Sequence, residues 1–468
     1  MDTKQTFALY FGNRGFFPGE LIADARREVK NAVEKAGFGT LLMDENLTRY
    51  GAVETVKEGR AFADFLAEHK GEYDGIILSL PNFGDENGAV TALESCGVPI
   101  LIQAYPDEIG EMDFQHRRDA FCGKFSIMDV FYQYGLPFTI FPPHTAAPGS
   151  DTFAGHLRDF AALCRVVRGM KKFTIGAIGA RTTAFKTVRF DELALQSYGI
   201  TTETLDLSEV IRRIRTFDTA GSVFKEKEEH LRNYTTWKGV PEEKIKLHTA
   251  LGCVLDELIE EYSLDALALR CWNELELDLG ISPCVLLSDL NNRGTAAACE
   301  LDVCNAVAMR ALALASDGPA TVLDWNNNYG DDPEKCILFH CGPVPQDLMT
   351  GKGHITDHPM FAKAYGKGSG WGCNEGRIAP GEMSFCSAKT EKGKLIFYCG
   401  EGSFTPDVIE DAFFGCAAVA QIPNLQKKLN VIGKNGFRHH VSATHGRFEN
   451  VLREAFSTYL EYDILEIG

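Results

Sequence analysis

The stretch TFALYFGNRGFFPGELIADARREVKNAVEKAGFGTLLM (Thr6–Met43) decides how the chain begins. Thr6–Phe11 is a short apolar run and reads as a strand. Glu20–Lys35 reads as an amphipathic helix ending at Gly37, and Thr40–Met43 as a second strand. The alternation continues through a helix at Val53–His69, the buried strand DGIILSL (Asp74–Leu80), a helix at Glu86–Glu94 and a strand at Pro99–Ala104. Strands and helices alternating at this spacing imply a parallel sheet covered on both faces. The loops NRGFFP (Asn13–Pro18) and PNFGDENG (Pro81–Gly88) leave strand ends, where such sheets carry function.

Working outward, a second α/β unit begins near Lys171. FTIGAIGA (Phe173–Ala180) enters a small-residue turn, and DLSEVIRRI (Asp206–Ile214) groups Leu207, Val210 and Ile211 on one helical face. Pro241–Tyr262 reads as a long helix with Pro at its entry. The strand Ala266–Cys271, the helix Asp302–Ala315 and the strand Thr321–Asp324 follow. Past about residue 335 the texture becomes short β segments rich in glycine: CILFHCG, GEMSFCSAK, KLIFYCGEG and RHHVSATHG. The fold class is therefore α/β, with two parallel-sheet α/β domains (1–170 and 171–335) followed by a C-terminal antiparallel β-barrel-like domain (336–468).

Composition bounds the function. The 468 residues carry a formal charge of −18 and are 45% hydrophobic and 24% charged. An acid excess of this size argues against nucleic acid as a partner. It gives no attraction to an anionic membrane, and no run approaches the roughly 18 apolar residues of a spanning helix. Fourteen cysteines with no CxxC pair, many inside apolar runs, read as buried reduced thiols. With no secretory pattern at the start, the expected compartment is the cytoplasm.

Familiar phosphate and nucleophile motifs are missing: GAIGAR (Gly176–Arg181) is not GxGxxG, and there is no GxSxG. The richest polar segment is LALRCWNELELDLG…CELDVCNA (Leu267–Ala306). Glu274 follows the strand Ala266–Cys271, and Asp302 stands at the start of a helix. Two carboxylates at the ends of neighbouring elements can converge on one divalent cation. Asp302 is by itself also a good helix cap, and Glu276, Asp278 and Glu300 compete with Glu274. In RHHVSATHG (Arg438–Gly446), His439 and His440 face opposite sides of a strand, so one of them can enter a site. The run GKGSGWGCNEG (Gly366–Gly376) reads either as a mobile surface loop or as a loop laying Trp371 over a ligand.

Four stretches together resemble the L-fucose/L-arabinose isomerase family, on its fucose branch: DLSEVIRRI; RCWNE with CELDVCNAVAM; GSGWG with PGEMSF and IFYCGEG; and HHVSATHG. Their shared order covers roughly residues 170–460, while the first 170 residues agree in architecture more than in sequence. The resemblance implies aldose–ketose interconversion on an open-chain sugar, with a divalent metal, Mn²⁺ first among them. It assigns Asp302 and His440 as metal ligands and Glu274 as the glutamate, with Glu276 and Glu300 open. Glu274 and Asp302 would also serve as base and acid across an enediolate. Arg14 and Trp371 match substrate-binding positions, and a homo-oligomer, hexamer or trimer, with sites at subunit interfaces is implied. A sugar-binding regulator on this fold and a metal-dependent sugar epimerase are the competing readings.

Overall fold

Every residue of Gly75–Leu80 is buried, as a central parallel strand requires. In this computed structural model, which describes residues 4–113 and 115–468, it is the third strand of a four-stranded parallel sheet. The strands are β1 (Thr6–Phe11), β2 (Gly39–Leu42), β3 (Gly75–Leu80) and β4 (Ile100–Ala104), in the order β2-β1-β3-β4. The helix Leu21–Lys35 buries Ile22, Ala25, Val29 and Val33, the one-face spacing the sequence shows. The helix expected from Val53 starts at Val56, because the Thr55 hydroxyl accepts the N–H of Glu58 and caps it. These elements form the unit Met1–Arg168, and the rest of the chain, Gly169–Gly468, forms another.

In the second unit, β5 (Phe173–Ile178), β6 (Ile200–Leu205), β7 (Ala266–Leu269) and β8 (Ala296–Cys299) pair in parallel in the order β6-β5-β7-β8. The remaining strands are β9 (Thr321–Asn328), β10 (Lys335–His340), β11 (His354–Asp357), β12 (Trp371–Arg377), β13 (Gly381–Glu391), β14 (Lys394–Phe404), β15 (Cys416–Gln421), β16 (His440–His445) and β17 (Asp463–Ile464). Six of them close an antiparallel barrel, β15-β10-β9-β16-β13-β14, with β14 returning to β15 through Ser403↔Gln421 and Phe404↔Ala420. Leu323, Leu338, Phe385, Ala418, Val441 and Ala443 share its core. They lie on alternate positions of their strands, as a filled small barrel demands.

Two expectations change. Thr321–Asp324, read as a strand of the central α/β segment, extends to Asn328 and belongs to the barrel, where it pairs with β10 and β16. The second half of Gly366–Gly376 is a strand rather than a loop, because Trp371–Arg377 pairs with β11 and β15. The helix Val303–Ser316 is almost wholly buried, packing on β7 and β8 and on the barrel strands β13 and β16. That double burial explains its apolar circumference, which a surface helix would not tolerate. Among the described residues no helix is long and apolar enough to cross a membrane, and all fourteen cysteines are free.

Candidate active site

The carboxyl ends of β7 and β8 meet the end of the barrel at a group of buried polar side chains. Glu300 directly follows β8, in a backbone turn where Glu300 and Leu301 both have positive φ (58° and 61°). The turn delivers Asp302 to the N-cap of the helix Val303–Ser316, where its Oδ1 accepts the N–H of Asn305 at 3.1 Å. Asp302 is fully buried. Its Oδ1 pairs with Arg438, and its Oδ2 lies 2.8 Å from Nδ1 of His440. Burial alone would raise this carboxyl, but Arg438 and His440 outweigh it and hold it well below the usual carboxylate range.

The other nitrogen of His440 faces the opposite way. Its Nε2 lies 2.9 Å from Glu300 Oε2 and 3.4 Å from Asp324 Oδ1, neither contact having hydrogen-bond geometry. Strand register explains the meeting: Asp324 of β9 stands opposite His440 of β16 and opposite Phe339 of β10, one residue before His340. Ligand atoms of Glu300, His340 and His440 lie within 4.8 Å of one another, as do those of Asp324, His439 and His440. Burial would depress His440, yet Asp302, Glu300 and Asp324 lift it to about 10. Burial raises Asp324 to about 7, with Glu300 adding to the effect and His440 opposing it. His440 thus keeps a proton between carboxylates, in a place where a cation is wanted.

A cavity of about 220 Å³ opens beside this group. Its polar wall includes Glu276, Glu300, His340 and His358, and its aromatic wall is Trp272, Phe361 and Tyr365. Trp272 Nε1 donates to Glu300 Oε1 at 3.0 Å and fixes that carboxylate. Glu276 accepts from Ser282 at 3.3 Å through Oε1, while its Oε2 is buried without a partner; burial pushes it up to about 8. Burial lowers both His340 and His358 to about 4, so both rings are neutral near pH 7.

The residues singled out from sequence divide. Asp302 and His440 come together, with His440 buried and the His439 side chain 43% exposed. Glu274 does not join them: it opens a short helix, is about half exposed and pairs with Arg270 at 2.6 Å. Trp371 begins β12 and does not line the cavity, where the aromatic part falls to Trp272, Phe361 and Tyr365 instead. Arg14 lies in the first unit, just past β1, at the point where the strand order reverses. There it donates to Gly84 O at 2.9 Å, pairs with Glu86 and stacks 4.2 Å over the Phe83 ring. Asp324 and His340 were missed. One ends an apolar run and the other is a lone His at a strand's end, and only the barrel register joins them.

Two family models match the chain. Residues 8–171 match the fucose/sulfoquinovose isomerase N-terminal domain, and residues 338–468 match the L-fucose isomerase C-terminal domain. The chain belongs to the fucose isomerase-like family of aldose–ketose isomerases. Among members of that family, the sulfoquinovose isomerase of Priestia aryabhattai is 23% identical over 327 residues, 69% of each chain. The one from Priestia megaterium matches to the same extent. The sulfoquinovose isomerase of Alkalicoccus urumqiensis is 21% identical over 399 residues, 83% of this chain and 85% of that one. The family thus supplies the reaction class, while the cluster around His440 supplies the chemistry described next.

Proposed function

We propose that this isomerase is metal-dependent and moves the carbonyl of an open-chain aldose between C1 and C2 through an enediolate. The observation that carries the reading is His440, whose Nε2 faces Glu300 and Asp324 with no hydrogen-bond partner of its own. The donor set fits a divalent ion. Asp324 Oδ1, Glu276 Oε2 and His440 Nε2 are buried and unpartnered, an orphaning that costs about 1–3 kcal/mol per group unless something else satisfies it. Glu300, Asp324 and His440 would hold the ion, a mixed O/N set suited to Mn²⁺. When bound, it polarises the sugar carbonyl and stabilises charge on the neighbouring oxygens.

The chain's own residues do the rest. Asp302 accepts from His440 Nδ1, so that Nε2, which faces Glu300 and Asp324, would offer its lone pair once an ion takes the place of its proton, the arrangement typical of a supported histidine ligand. Asp302 is thereby the carboxylate that orients the ligand, and Arg438 keeps it ionised. Glu276 is the cavity carboxyl poised near neutral pH, able to take a proton from one sugar carbon and return it to the next. The cavity is smaller than the roughly 300–1,000 Å³ of drug-sized pockets, in keeping with a monosaccharide. The relatives' name makes a 6-sulfonated glucose the first substrate to try. The homo-oligomer implied by the family resemblance belongs to the same reading, and light scattering reports on it.

The test is a panel of aldoses, neutral and sulfonated, incubated with the Mn²⁺-loaded protein while ketose formation is followed. Ketose from at least one aldose is expected. Inversion of a stereocentre with no carbonyl moved would replace the isomerase reading by the epimerase one.

A further inference from the structure

His340 ends β10, 2% exposed, and its Nδ1 accepts the main-chain N–H of Cys341 at 2.9 Å. A nitrogen that accepts has its lone pair engaged, so this ring is neutral and carries its proton on Nε2. Turning the ring over would face that N–H with a carbon. Nε2 is buried, has no partner among the described residues, and belongs to a residue lining the cavity. His440 is wired in the opposite sense, its Nδ1 donating to Asp302. Two buried imidazoles whose ring centroids are 5.7 Å apart are therefore wired differently: His440 would offer a lone pair once its Nε2 proton is given up, and His340 offers an N–H.

We propose that His340 is a catalytic hydrogen-bond donor to a reacting oxygen of the sugar, and that it does not ligate the metal. The proposal rests on the isomerase reading of this cavity. An N–H cannot ligate a cation, and Cys341 holds the only other ring nitrogen. An oxygen that passes from carbonyl toward enediolate gains negative charge, so a fixed donor beside it binds more strongly in the transition state than in the ground state. The proton stays on Nε2 throughout; no bond to it breaks.

The experiment compares the full chain with His340→Phe, which keeps a ring but removes the donor, with His340→Gln, which restores an N–H, and with His440→Ala. Mn²⁺ binding is read from the loss of the free-ion EPR signal, and kcat and KM are measured separately. His340→Phe should lose about 10²–10³ in kcat, the usual cost of one such donor, with a much smaller change in KM. His340→Gln should recover part of that loss. Mn²⁺ affinity in both should stay clear of the about 10–100-fold weakening seen when even a supporting residue of a metal site is lost. His440→Ala should show that weakening or more. Mn²⁺ loss in His340→Phe matching that in His440→Ala would overturn the proposal, as would unchanged kcat in His340→Phe. Circular dichroism checks that each variant folds, and if His340→Phe does not, His340→Ala takes its place with the same expectations. Should the unaltered protein turn over without any metal, the metal reading fails while the loss of kcat still decides the donor.

Discussion

Asp302 Oδ2 lies 2.8 Å from His440 Nδ1, and that contact sets which nitrogen of His440 meets the cluster of Glu300 and Asp324. The carboxylate is held in turn by Arg438 and by its place as the cap of Val303–Ser316. A residue that reads from sequence as a ligand thus holds, in the structure, the imidazole that is proposed as one.

Asp302→Asn keeps the cap and the size but removes the charge that fixes the tautomer. Mn²⁺ affinity should fall about 10–100-fold, the range for supporting residues, with binding still measurable. A metal titration followed by EPR decides this, and complete loss of binding would place Asp302 on the ion itself.

Glu274 and Glu300 are separated by their surroundings, one half exposed beside Arg270 and the other mostly buried, 17% exposed, beside His440. Glu300→Gln should therefore lose Mn²⁺ binding and nearly all turnover. Glu274→Gln should keep both to within a few-fold, since exposed ion pairs contribute only about 0–1 kcal/mol. Parallel metal and activity measurements on the two variants check it.

Metal uptake should release protons. Without an ion His440 holds its proton to about pH 10 and Asp324 to about pH 7, so near neutrality both sites surrender protons when the ion binds. Both groups sit above their ordinary values, so affinity must rise as pH rises through 6 to 8, by about tenfold per unit or somewhat more. Calorimetry in buffers of different ionisation enthalpy measures the released protons directly. Their absence would mean that His440 is neutral before the ion arrives.

Much of this was legible in the sequence. Apolar periodicity placed β1, β3, β5 and β7 and the helix Val303–Ser316, because each is dominated by its own burial pattern. Alternation let only one of His439 and His440 into a site and the family resemblance picked His440, which the burial of the two side chains matches. What stayed hidden depends on long-range pairing. Asp324 looks like the end of an apolar strand until its register sets it opposite His440, 116 positions along the chain. Glu300 looks like part of a helix start, and only the positive φ of two successive residues turns it toward the imidazole. Trp371 was drawn to the site by its glycine-rich context and its match to the family, yet the glycine next to it serves the close packing of β12. A side chain at Gly372 would collide with the Ser282 carbonyl and with His248.

Proton transfer through a carboxyl group leaves an isotopic trace. In deuterated water the product carbon that receives the proton should carry deuterium, because Glu276, the proposed base, lines the cavity and would exchange its proton between turnovers. Mass spectrometry or NMR of the ketose at low conversion reads this, and a hydride shift would give product free of deuterium at that carbon.

The most direct test of the central claim is ketose formation by protein stripped with EDTA, measured before and after Mn²⁺ is returned. The account predicts turnover that vanishes on stripping and comes back with the ion, and that does not come back in Glu300→Gln or His440→Ala. Full turnover by the stripped protein would contradict it.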